Sequence, residues 1–261
     1  MGDLEFGILL PALIAGVLVA ATHVPLGIQV LRRGIVFIDI AIAQIAGVGV
    51  VAANFLGLES HGVAVQVSAL AAALVGALLL TWTERRWPEV QEAIIGSVFV
   101  LAATLEILLL AENPHGGEYL KEMLVGQILW VGYPQLGAVA ALSVLVLGAW
   151  FGWGERLGRI GFYSLFGVAV TASVQMVGIY LVFATLIIPA LATRNARRLR
   201  LTKAYAVAGL GYGAGLLAST AFDLPTGAII VWTMALAGIV FACLQPAAAR
   251  PAREDHSTIS P

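Results

Sequence analysis

Long apolar stretches alternate along the chain with short breaks made of glycine, proline and charged residues. A membrane-spanning helix needs about 20 mainly apolar residues. Stretches of about this length lie near residues 5–30, 36–57, 62–83, 93–111, 136–153, 164–191, 204–221 and 228–244. The pattern predicts an all-α, polytopic transmembrane helical bundle over residues 1–245. The segment 246–261, rich in alanine, proline and charge, is predicted to be a disordered cytoplasmic tail.

Composition supports a lipid environment for most of the chain. Hydrophobic residues make up 60% and charged residues 11% of the sequence, whereas a soluble domain carries about 25% charged residues. Cys243 is the single cysteine, which excludes an internal disulfide and a cysteine-based metal cluster. The first apolar stretch lacks a basic leader and a small-residue cleavage site, so we expect it to be a retained span.

Lysine and arginine favour the cytoplasmic side of a membrane protein and so predict its orientation. Strict alternation of sides holds from Arg32 through Arg159, but one crossing at 164–191 would place the basic run 194–203 outside. We therefore predict a broken span near 178–191, interrupted by Gly178 and Pro189, in which a helix through about Tyr180 is followed by a shorter returning segment. This gives eight to nine spans, with one long tilted helix as the alternative.

Four polar residues within the predicted spans are candidate pathway residues, because polar groups in a membrane are costly and usually face the bundle interior. They are His23, Asp39, Gln44 and Glu106. Imidazole and carboxylate suit zinc or manganese, and His23 is one possible partner for Glu106. The position of Asp39 favours capping of its helix over contact with a cation, whereas Gln44 fits an interhelical hydrogen bond and a pathway wall equally well.

No sequence motif indicates an enzyme. The chain has no phosphate-binding Gly-x-x-x-x-Gly-Lys-Ser/Thr loop, no serine nucleophile elbow, no His-Glu-x-x-His and no cysteine pair. We assign no catalytic residue and no cofactor. If transport uses ATP, another polypeptide must bind it.

Several segments resemble the permease family of zinc/manganese-type ABC importers. Residues 30–47, which include Arg32, Arg33 and Gln44, resemble that family's Leu-Arg-Arg-x-x-Phe-x-Gly-Asp-Ala-x-Ser-His element. Residues 174–190 resemble its Gln-x-Val-Gly-x-x-Leu-Val-x-x-Leu-Ile-Ile-Pro-Ala pattern, and 92–96 and 223–228 also fit.

The resemblance implies a membrane-spanning permease subunit in the inner (plasma) membrane that imports a divalent metal ion, zinc or manganese first and then iron. It implies a cytosolic ABC ATPase, a periplasmic or extracellular metal-binding protein and a second permease copy as partners, and no nucleic acid. It also implies an ATPase-coupling segment before the 174–190 span, at Glu155, Arg156, Leu157, Gly158 and Arg159.

The chain departs from the family pattern where a cation would be held. Alignment on Gln44 puts Ile40 at the family's Asp position and Gln44 at its His position, so the Asp/His pair is displaced or absent. Two alternatives therefore stay open: a permease of the same architecture for a chelated metal or cofactor, and a proton-coupled secondary transporter using Glu106 and His23.

Overall fold

The apolar stretches form a bundle of α-helices. The computed structural model describes residues 2–57, 62–111, 113–153, 156–196 and 198–244. Over these residues the chain forms ten α-helices and no strand: α1 (Gly2–Arg33), α2 (Ile38–Phe55), α3 (Val63–Arg86), α4 (Gln91–Leu110), α5 (Gly116–Val125), α6 (Tyr133–Trp153), α7 (Gly158–Val177), α8 (Ile179–Ala192), α9 (Arg200–Phe222) and α10 (Thr226–Leu244). The proposed tail 246–261 lies outside the described residues.

The predicted spans are confirmed. Eight helices within the described residues are long and apolar enough to cross a membrane, namely all except α5 and α8. The 14 residues of α8 rise about 21 Å, which is less than the hydrocarbon thickness of about 30 Å. The chain is therefore a multi-pass membrane protein with one short apolar helix in addition to its full spans.

The helices divide into a central and a peripheral set. In α2 and α7, about 61% of the apolar stretch long enough to span a membrane is buried inside the protein. In α4, α6 and α10 the buried share is 22%. The central helices place many alanines and glycines in the core, which lets their backbones approach closely. Large apolar side chains such as Leu145 and Trp232 are exposed on the peripheral helices, where lipid rather than water is the matching solvent.

The broken span is confirmed, and its break lies at Gly178. This residue has φ +83°, a conformation that favours glycine, and it separates the end of α7 from the start of α8. The helix stops a few residues earlier than the predicted end near Tyr180. Pro189 lies inside α8 rather than at the break.

A second glycine lets the end of α5 lie directly against the break between α7 and α8. Gly126, at the end of α5, also has a positive φ, and its backbone lies directly against the backbone of Val177 and Gly178. A Cβ atom on either glycine would overlap the backbone of the other segment. The two helix ends therefore meet without side chains between them.

Contacts at the opposite end of the bundle show that α8 runs back toward the end where α7 begins. The guanidinium of Arg33 lies 4.2 Å from the ring centre of Phe162, in the second turn of α7. After the break, Arg200 Nη2 donates to the carbonyl of Ala190 at 3.3 Å and lies within electrostatic range of Arg32. Both sides of the broken span thus bring their basic residues to one end, which rules out the single long tilted helix.

Candidate functional site

A cavity of about 300 Å³ lies between α2, α4, α5 and α8. Most of its wall is apolar, with Phe99, Leu124 and Phe183 among the lining residues. Two of the four candidate pathway residues, Gln44 and Glu106, line it together. His23 and Asp39 do not line it. The cavity thus combines one carboxyl, one carboxamide and the phenol of Tyr180 with a mainly apolar wall, a composition typical of small-ligand sites.

Glu106 is the charged group of this cavity. Its side chain is 2% exposed, and its Oε1 atom has no hydrogen-bond partner. The absence of a side chain at Gly47 makes room for it, because a Cβ there would collide with Glu106 Oε1. A buried carboxylate without a partner is costly, so this oxygen requires a proton or a cation from outside the protein.

Gln44 lies on α2, one helical turn after Ile40. Both residues line the cavity. Gln44 is 4% exposed and its Oε1 is buried without a hydrogen-bond partner. The two positions that the resemblance aligns with the family's Asp/His pair therefore face the cavity. In this chain they carry an alkyl group and an amide, and the charge comes from α4 instead.

His23, a possible partner of Glu106, does not pair with it in this structure. His23 is fully buried in α1, where its Nδ1 lies 2.9 Å from Thr22 Oγ1 and 3.1 Å from the carbonyl of Val19. Its Nε2 has no partner. Neither of the two ion pairs found among the described residues joins it to Glu106. The helices explain this: α1 packs on α6 to α9, whereas α4 packs mainly on α2.

Asp39 lies at the N-terminal end of α2, as expected, but it does not cap the helix through a hydrogen bond. Asp39 lies in the first turn, is 1% exposed, and neither carboxyl oxygen accepts a hydrogen bond. The N-cap residue is Phe37, whose backbone N–H donates to Glu92 Oε1 of α4 at 3.2 Å. Sequence reasoning could not find this bond, because it joins residues 55 positions apart.

The predicted coupling segment forms the loop and first turn that begin α7. Arg156 and Arg159 are exposed, Leu157 is the N-cap residue, and Gly158 has φ +61°. Arg159 Nε lies 3.7 Å from Glu84 Oε1 at the end of α3. Glu155 lies outside the described residues. The segment therefore presents positive charge at the basic end of the bundle.

A cavity wall that the sequence analysis missed is α5. The predicted spans leave the stretch between 93–111 and 136–153 without an element, whereas the structure has a ten-residue helix there that covers the cavity with Leu120, Met123 and Leu124. Their spacing of three and four residues places them on one helical face, with Glu118 and Glu122 exposed. This spacing of apolar residues was the sequence signal from which α5 could have been predicted.

Comparisons with known proteins agree with this architecture. The sequence profile of the ABC 3 transport family matches residues 5–156 and 152–245. No curated protein matches the chain. The fold is similar to PsaBC from Streptococcus pneumoniae, solved in complex with Fab, with a TM-score of 0.76, 20% identity and 94% of each chain covered.

A second similar structure is described as a metal-chelate type ABC transporter in an inward-facing conformation. The TM-score is 0.66 at 16% identity, covering 90% of this chain and 85% of the other. At 20% and 16% identity, the two similar structures support the fold only.

Proposed function

Since the chain belongs to the ABC 3 transport family, we propose that it is the permease subunit of an importer that moves a divalent metal ion, zinc or manganese, across the inner membrane. ATP is hydrolysed by a separate ATPase chain, because this sequence carries no nucleotide-binding loop. The observation that carries the proposal is the match of the family profile to almost the whole helical bundle.

The chemistry of the cavity supports a cationic cargo. Glu106 and Gln44 offer two buried oxygens that no donor among the described residues satisfies, and both residues line the same cavity. A cation, alone or within a chelate, can satisfy two acceptors at once. One of the structurally similar proteins is of metal-chelate type, which supports a metal cargo here also.

The basic end of the bundle supports docking of the ATPase. Arg156 and Arg159 are exposed beside the α3 and α7 ends, and the pair between Arg159 and Glu84 ties the segment to the bundle. We assign Glu155, Arg156, Leu157, Gly158 and Arg159 to the coupling contact. A second permease copy completes the membrane part, and a metal-binding protein delivers the ion from the opposite side.

Metal uptake into vesicles tests the proposal. The permease is reconstituted with its ATPase and binding protein, and uptake of manganese or zinc is measured with and without ATP. We expect uptake only when both ATP and the ATPase are present. Uptake that follows a proton gradient and needs no ATPase would contradict the proposal and favour a secondary transporter.

Charge reversal tests the coupling contact separately. Arg156→Glu combined with Arg159→Glu should abolish co-purification of the ATPase while the permease still inserts in the membrane. Arg85→Glu is the matched control, because Arg85 is exposed at the same end of α3 but lies outside the segment. Equal loss of ATPase binding in the control would contradict the assignment.

A further inference from the structure

The cavity between α2, α4, α5 and α8 has a wall that is mostly hydrocarbon. Phe99 of α4 and Phe183 of α8 bring two phenyl rings to it, and Met123 of α5 adds a thioether. Its volume of about 300 Å³ is at the lower end of the range for small-molecule pockets. The space therefore suits a compact ligand that has apolar surface of its own.

A single charged side chain lines this space. Glu106 is the one charged residue among the described residues of the wall, and no lysine, arginine or histidine lines the cavity beside it. Neither of the ion pairs found in the described part of the chain involves it. A ligand that satisfies its buried oxygen must therefore carry a positive charge or donate a hydrogen bond.

The two unsatisfied acceptors of the wall lie about one helical turn apart. Glu106 Oε1 lies where a Cβ atom of Gly47 would be, and Gln44 precedes Gly47 by three residues on α2. Residues at this spacing are neighbours on a helix, with Cβ atoms about 5–6 Å apart. Both residues line the same small cavity. The carboxyl and the carboxamide are therefore close enough to contact one small ligand.

An ammonium group matches these acceptors and this wall together. A hard divalent ion takes six or more oxygen ligands or keeps its own water molecules, whereas the polar side chains of the wall are those of Glu106, Gln44 and Tyr180. A protonated amine needs fewer partners, because its N–H bonds can go to one carboxylate and one carbonyl. Its carbon substituent then contacts the apolar wall, and a phenyl face also attracts the charged nitrogen.

The cavity can be entered from the side of the bundle. Tyr180 and Ile107 both line it, yet they are 54% and 56% exposed. Ile107 lies in the last turn of α4, and Tyr180 lies in the first turn of α8. Both are far from the basic end, where α4 begins and α8 finishes. An amphipathic ligand therefore reaches Glu106 from the half of the membrane that lies opposite the basic residues.

We propose that this cavity binds a small organic ammonium ion, whose charged nitrogen pairs with Glu106 while its apolar substituent lies against Phe99 and Phe183. Gln44 accepts a second N–H bond from the same nitrogen. The site does not depend on the function proposed above, because binding requires neither ATP nor a partner chain. A ligand held at Glu106 also competes with any other cation that enters the cavity.

Equilibrium binding to the full-length permease in nanodiscs tests the charge of the ligand. The probe is radiolabelled 2-phenylethylammonium at pH 7, and 2-phenylethanol is the neutral probe of matched size. Empty nanodiscs measure partition of each probe into lipid. We expect saturable binding of the ammonium ion, at least about tenfold tighter than that of the alcohol. Equal affinity for the two probes, or no binding beyond that of empty nanodiscs, would overturn the proposal.

Two variants locate the bound nitrogen. Glu106→Gln should weaken binding of 2-phenylethylammonium by about tenfold and leave binding of 2-phenylethanol unchanged, which also shows that the cavity is intact. Glu118→Gln is the matched control, because Glu118 is exposed on α5 and does not line the cavity. Unchanged ammonium binding in Glu106→Gln, or an equal loss in both variants, would overturn the assignment of the charged partner.

A third variant fills the cavity and keeps its charge. Ala103 lines the wall one turn before Glu106, so Ala103→Phe adds a ring inside the space. We expect both probes to lose about tenfold in affinity, because the room for the phenyl group is gone. Full binding of 2-phenylethylammonium in Ala103→Phe would place the ligand elsewhere and overturn the proposal.

Discussion

Two carboxyl groups are buried in this bundle, and their surroundings differ. Asp39 lies in the first turn of α2, near the basic end, with both oxygens enclosed, and it does not line the cavity described above. Glu106 is almost equally buried, yet it lines a cavity together with Gln44. Burial alone therefore does not identify a pathway residue. Access to a space that a ligand can occupy separates the two.

The first prediction compares the two carboxyl groups directly. Glu106→Gln should reduce metal uptake by about tenfold or more, because the charge of the cavity is removed. Asp39→Asn should leave uptake within about twofold, because Asp39 does not line the cavity that holds Glu106. Initial uptake rates in vesicles check both, and a larger loss for Asp39→Asn would reverse the assignment.

The second prediction moves the Glu106 carboxyl without removing it. In Gly47→Ala the new methyl group would occupy the place of Glu106 Oε1 and contact Met123. We expect uptake to fall by about tenfold, since small misplacements of a site group are costly. Gly96→Ala on α4 is the control, because a Cβ there meets nothing within 4 Å. Full uptake in Gly47→Ala would show that the carboxyl position is unimportant.

The third prediction uses chemical labelling. A hydrophobic carbodiimide should modify Glu106 several times faster than Asp39, because Glu106 lines the cavity and Asp39 does not. Added MnCl₂ should slow the reaction at Glu106 if the ion occupies the cavity. Peptide mass spectrometry gives both rates, and faster labelling of Asp39 would contradict the structural contrast.

The smallest effect is expected at the N-terminal end of α2, where Glu92 accepts the hydrogen bond from Phe37. Glu92→Gln weakens the acceptor of the Phe37 N–H, and the loss of a helix cap costs about 1 kcal/mol. We expect a lower thermal unfolding temperature with unchanged uptake in the variant. A strong loss of uptake at unchanged unfolding temperature would give this end a role in transport.

The fold could be predicted from the sequence to a large extent, because hydropathy and basic residues report directly on the membrane. The reversal at Gly178 followed from the position of the run 194–203, since one crossing could not satisfy the charge pattern. Helix α5 was missed because Glu118, Lys121 and Glu122 make the segment polar overall. Its apolar residues occupy one face only, which a search for full spans overlooks.

The site could be predicted only in part, because distances between helices are not encoded locally. Gln44 and Glu106 were identified as costly polar groups, and they share a cavity. The pairing of His23 with Glu106 failed because it required two helices to be neighbours, and α1 and α4 pack on different partners. The room that Gly47 leaves for Glu106 depends on a contact across the bundle and left no signal in the sequence.

The contact between Gly126 and Gly178 has a mechanical consequence. Helix α7 is about 30 Å long, begins at the basic end near Arg159, and ends against the backbone that closes α5. A helix is stiff along its axis. At this junction the backbones of Gly126 and Gly178 lie against each other without a side chain between them. We therefore expect a tilt of α7 at its first turn to displace α5 at the far end.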